Sequence, residues 1–197
     1  MGGAPSVSGF NFTAHMEALC RHAVQHVEPL SHVDMDAVAV TYRQTRKAVM
    51  HGLQACLTPL RFENGAREMV RGRYRWTMPR IVGPSGRELL YILSFYLPRF
   101  LDRTYRDKLV TIFHELWHIS PAFDGDLRRH EGRCYMHSAR QADFDAQAEA
   151  LVDEWLASRP PVELYEFLKL NFRELSAAHG GVYGQKAALP KMVPLPR

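Results

Sequence analysis

Residues 89–97, Leu-Leu-Tyr-Ile-Leu-Ser-Phe-Tyr-Leu, carry no charge and show no alternation of apolar with polar side chains. A strand with one solvated face alternates at period two. A run that is apolar at nearly every step reads instead as a strand covered on both faces, inside the fold. The rest of the chain must supply that cover. From residue 33 to 97 the texture is β: "MDAVAVTY", "GLQACLTPLRF", "VRGRYRWTMPRIV" and "RELLYILSFYLPRF" are separated by "RQTRK", "ENGARE" and "GPSG", which predicts four strands. In the third, Arg71, Arg73, Arg75 and Thr77 alternate with Val70, Tyr74, Trp76 and Met78, so one cationic and one apolar face are expected.

Helical periodicity frames this sheet. Residues 12–28 place Met16, Leu19, Cys20, Ala23 and Val27 on one stripe, with Thr13 as a candidate cap and Pro29 as a stop. Further helices are predicted over 103–119, 141–158 and 161–177, the last opened by Pro161. Helix, then strands, then helices is an α+β order, with a four-stranded sheet as its centre. A length of 197 residues suits one domain, read as 1–179, and the proline-bearing tail 180–197 is expected to be extended or mobile.

Composition narrows the function classes. A 46% hydrophobic and 23% charged chain is a globular protein and not a generally disordered one. The first residues lack a basic stretch followed by an apolar one, and no apolar run is long enough to span a bilayer, so a cytoplasmic, membrane-free protein is expected. Cys20, Cys56 and Cys134 form no CxxC pair, so reduced thiols are expected. The net charge of +4 permits a nucleic-acid partner without demanding one.

The chemistry concentrates in "TIFHELWHISPAFDGDLRRHEGRCYMHS", residues 111–138. His114-Glu115-Leu116-Trp117-His118 is an HExxH sequence. On a helix its two histidines project from one face with Cβ atoms about 5–6 Å apart, so two ring nitrogens can reach one zinc ion. Glu115 lies too far round to be an equivalent ligand, but it can lean over a metal-bound water and take its proton. His15, His22 and His26 have no such company and read as helix-face residues.

A third ligand has several candidates. "FDGD" allows the chain to reverse, and His130, twelve residues after His118, is favoured on ligand chemistry and reach. His137 is the nearer rival and, unliganded, would hydrogen-bond an oxyanion, a role also open to Tyr135. Glu149 has the look of a ligand on a later helix, yet Asp145, Glu149 and Asp153 fall at i, i+4 and i+8 opposite Phe144, Ala148, Leu151 and Trp155. They read as a solvated acidic face. Cys134 fits a small buried residue better than a ligand. Asp124 and Asp126 could accept an imidazole N–H or simply form the turn, and Arg128, Arg129 and Arg133 could bind a substrate carboxylate or pair with those aspartates.

With these residues in view, the chain resembles the zincin metallopeptidases. "HELWHISPAFDGDLRRHEGRCYMHS", preceded by "GRELLYILSFYLPRF", looks like a group of small metallopeptidases of bacteria and phages, over roughly residues 30–158. The later elements are similar in layout to SprT-like proteases. The resemblance implies a zincin-like α+β fold with a mixed sheet packed on the HExxH helix, and one zinc ion on His114 and His118 with His130 completing the site. It also implies Glu115 as catalytic base and peptide-bond hydrolysis as the activity. The sheet strand nearest the helix would bind substrate backbone as an added strand, a role suited to 88–97. The rival expectation is a zinc-stabilised module without turnover that binds protein, or nucleic acid through the Arg71/Arg73/Arg75 face.

Overall fold

The computed structural model describes residues 9–45, 52–129 and 141–196. In chain order the elements are β1 (Phe10–Asn11), α1 (Phe12–His26), β2 (Val38–Gln44), β3 (Ala55–Pro59), β4 (Glu68–Arg71) and β5 (Tyr74–Thr77). There follow β6 (Tyr91–Leu97), α2 (Tyr105–Trp117), α3 (Gln141–Ala157), α4 (Phe172–His179), β7 (Val182–Tyr183) and β8 (Val193–Pro194). The class is α+β, as expected, but the sheet is not a single four-stranded one.

The central sheet has three strands in the order β2-β6-β3, with β6 parallel to β2 and antiparallel to β3. The uncharged run therefore occupies the middle. Tyr91, Leu93, Phe95 and Leu97 point to the main core, where they join Phe12, Met16 and Leu19 of α1, Leu109, Ile112, Phe113 and Leu116 of α2, and Leu151 and Trp155 of α3. On the reverse face Ile92 packs with Leu60 and Leu89, against Met78 and Ile81. Two-sided cover is why the run lacks polar alternation.

The third predicted strand is a hairpin. Gly72, at φ +63°, makes the turn with Arg73, and β4 folds onto β5 with Arg71 opposite Tyr74. Register puts Met69, Arg71, Tyr74 and Trp76 on one face and Glu68, Val70, Arg75 and Thr77 on the other. Arg71 and Arg75 thus lie on opposite faces, and the expected single cationic face does not exist. With β8 the hairpin forms its own three-stranded sheet.

Two further expectations change. The segment 161–177 is not one helix: 3₁₀ turns at Val162–Leu164 and Glu166–Lys169 precede α4. Asn171 interrupts the run because its side chain caps α4, accepting from Glu174 N while Glu174 accepts from Asn171 N. At the start of α1 the cap is Asn11, not Thr13. Thr13 Oγ1 instead accepts a 2.9 Å bond from Gln185 N in the tail. The tail runs extended: β7 pairs with β1, Tyr42 N donates to Gln185 O, and β8 adds to β5. Among the described residues no helix is long and apolar enough to cross a membrane.

Candidate active site

Helix α2 positions the HExxH residues. Thr104 opens it by accepting from Asp107 N, and Leu109, Ile112, Phe113 and Leu116 anchor it in the core. His114 and Glu115 occupy its last turn and His118 is its C-cap. After Ile119 the chain reverses, with Ile119 bridging to Leu127 and Arg128 N donating to His118 O at 2.7 Å. The reversal needs Gly125: its φ is +88°, and a Cβ there would sit 2.5 Å from Cγ of Arg61. Tyr91 pins the loop from the central strand, its hydroxyl donating to Asp126 O and accepting from Gly125 N.

The two imidazoles meet. Nε2 of His114 and Nε2 of His118 are 3.1 Å apart, with the rings nearly perpendicular. Two nitrogens that each sit about 2.0–2.1 Å from a common zinc ion would have this spacing at an angle of about 100° between them. On the far side of the first ring, Nδ1 of His114 is 3.4 Å from Oδ1 of Asp145 on α3. A carboxylate there favours the tautomer with hydrogen on Nδ1, which makes Nε2 of His114 the acceptor in its contact with His118. Phe144 closes the other flank, its ring 4.6 Å from that of His118 and 4.9 Å from that of His114.

The acidic face of α3 is solvated, as expected, with the Asp145 side chain 48% and the Asp153 side chain 67% exposed, but it also reaches a neighbour. α3 packs along α2 so that its acidic side overhangs the site: Asp145 reaches His114, Glu149 lines the adjoining groove, and Asp153 pairs with Arg106 at 2.7 Å. Of the two roles open to Asp124 and Asp126, imidazole acceptor or turn former, the structure gives them the turn. Asp126 binds Arg129 and the amides of Asn64 and Leu127, and Asp124 caps the amide of Asp126. Arg129 is thereby tied to Asp126, while Arg128 lies over the Trp117 ring.

Glu115 reaches toward the sheet, and it borders the same groove as His114. It is buried, and its Oε2 accepts a 2.8 Å bond from the amide of Leu57 on β3. Burial pushes its carboxyl up to about 7, and the Leu57 amide pulls in the opposite direction. Burial, and then the nearby Glu115, also raise the Cys56 thiol. Cys20 is buried in the core, its thiol pushed up to about 12, and inert.

The sheet edge at the site is β3, not the segment 88–97. β6 is bonded on both sides and can accept no further strand. In the β3–β6 ladder Tyr96 N donates to Gln54 O and Leu60 N to Leu90 O, so the even residues of β3 face β6. Backbone groups of Ala55, Leu57 and Pro59 face outward. Beside this edge runs a groove of about 720 Å³, bounded by Gly52–Ala55, by Thr111, His114 and Glu115 of α2, and by Asp145 and Glu149 of α3. Nothing in the sequence marks Leu57 or the Gly52–Ala55 wall of the groove, because they contribute backbone and position rather than a diagnostic side chain.

His130, Tyr135, His137, Cys134 and Arg133 lie outside the described residues. Among the described residues, no set of three His, Cys, Asp or Glu side chains is arranged to hold a metal ion. His114 and His118 bring two ring nitrogens to within 3.1 Å of each other. Comparison with protein families, curated proteins and solved structures finds no match for the chain.

Proposed function

We propose that the chain is a zinc-dependent metallopeptidase with one zinc ion, a zincin-like layout and Glu115 as general base. The observation that carries this reading is the pairing of His114 and His118 through Nε2 at 3.1 Å, next to a buried carboxyl with a pKa raised to about 7. His114 and His118 would hold the ion, with His130 the leading third ligand and His137 its rival. Zinc bound there lowers the pKa of a coordinated water and polarises a scissile carbonyl.

The remaining parts belong to the chain. Asp145 holds the His114 ring and its tautomer, and Phe144 limits the movement of both rings. Leu57 N–H fixes one oxygen of Glu115, so the other is free to take a proton from the attacking water and deliver it to the leaving amine. A carboxyl poised near neutrality suits both halves of that transfer. The outward carbonyls of Ala55, Leu57 and Pro59, with the amide of Ala55, suit an extended peptide lying in the groove. Tyr135 or His137 is proposed to stabilise the oxyanion.

The test is Glu115→Gln, assayed on an unfolded protein such as casein. The variant should lose hydrolysis by at least a hundredfold while retaining about one zinc per chain. Undiminished cleavage by the variant would refute Glu115 as the base.

A further inference from the structure

The hairpin lobe between Arg61 and Glu88 holds seven arginines and three glutamates, which is the whole +4 charge of the chain; outside it eighteen cations balance eighteen anions. Charge that only kept the protein soluble would be dispersed. Within the lobe the pairing is lopsided. Arg61, Arg67 and Arg80 all converge on the single carboxylate of Glu88, and Arg75 pairs with Glu68. Arg87 reaches out to Asp34. Arg71 and Arg73 have no acidic partner among the described residues, and both are exposed at the hairpin end.

The face that carries Arg71 is aromatic. Tyr74 is directly opposite Arg71 in the ladder, 44% exposed, with its ring 6.2 Å from that of Trp76 and the Arg73 guanidinium 5.3 Å over it. Guanidiniums with no carboxylate partner among the described residues, beside an exposed ring on a small sheet, combine the two features that hold a single strand. The cations neutralise phosphates, and the ring gives an unstacked base a surface on which to lie. An acidic protein surface would use the charges and leave the ring without a role.

We propose that the β4–β5 hairpin is a docking site for single-stranded nucleic acid, with Arg71 and Arg73 on the phosphates and Tyr74 stacked on a base. This site is separate from the peptidase reading and is tested without any cleavage assay. Fluorescence anisotropy of a labelled mixed-sequence single-stranded oligonucleotide against the full chain, over a series of salt concentrations, measures it. Arg71→Ala/Arg73→Ala should weaken binding and flatten the slope of log affinity against log salt by about 1.4, the contribution of two phosphates on a single strand. Arg71→Lys/Arg73→Lys should keep the slope. Tyr74→Ala should weaken binding by about tenfold with the slope unchanged. Far-ultraviolet circular dichroism shows that each variant is folded. Absence of binding at low salt, an unaltered slope in the double alanine variant, tighter binding of duplex than of single strand, or equal competition by polyglutamate would each overturn the proposal.

Discussion

The amide of Leu57 donates a 2.8 Å hydrogen bond to Oε2 of Glu115, joining the outer edge of the central sheet to the helix that carries both histidines. The bond uses a backbone group that faces away from the ladder, so it can be removed without breaking the sheet. Leu57→Pro lacks the N–H, and Pro59 two residues on already occupies a position of the same orientation. A hydrogen bond to a carboxylate is worth about 1.5–3 kcal/mol. On the proposed mechanism, kcat/KM of Leu57→Pro should fall by roughly ten- to a hundredfold relative to Leu57→Ala, which loses similar packing but keeps the amide. Equal kinetics for the two would remove Leu57 from the account.

Asp145 stands 3.4 Å from Nδ1 of His114 and holds the ring through that contact. Loss of such a partner typically weakens metal affinity by roughly 10–100-fold. Asp145→Ala should therefore give up zinc to a chelator at a correspondingly lower concentration, while Asp153→Ala, on the same helix but paired with Arg106, should match the wild type.

Asp126 holds the reversal after α2 in shape. Burial pushes its carboxyl upward, but the Arg129 guanidinium and the amides of Asn64 and Leu127 outweigh it, leaving the pKa below the ordinary 3.8. A carboxyl depressed on folding contributes stability that is fully present above the unfolded value and is lost as pH falls through the folded one. Asp126→Asn should thus cost about 2–3 kcal/mol near neutral pH. In urea titrations the gap between variant and wild type should narrow below about pH 4.

How far residues alone reveal this molecule depends on whether a signal is carried by one element or by two. The centre of the sheet was legible because residues 89–97 lack alternation, and burial on both faces is the physical cause. The hairpin was not. A two-residue turn at Gly72 and Arg73 lets the arginine-aromatic alternation run on in sequence while register exchanges the faces, so Arg71 joins Tyr74 and leaves Arg75 behind. The helix predicted over 103–119 was legible from spacing, and so was the chain reversal from "FDGD". The contact of Asp145 with His114 was not legible, because a solvated acidic stripe opposite an apolar one looks the same whether or not one of its members also touches a neighbouring helix. That distinction belongs to the packing of α3 on α2.

The proposed chemistry requires that His114 and His118 together bind a zinc ion. Elemental analysis of the purified chain, after incubation with zinc and removal of excess metal, tests it most directly against His114→Ala and His118→Ala. About one zinc per wild-type chain is expected, and a small fraction of that in either variant. A wild-type chain that retains no zinc, or variants that both keep a full equivalent, would contradict it.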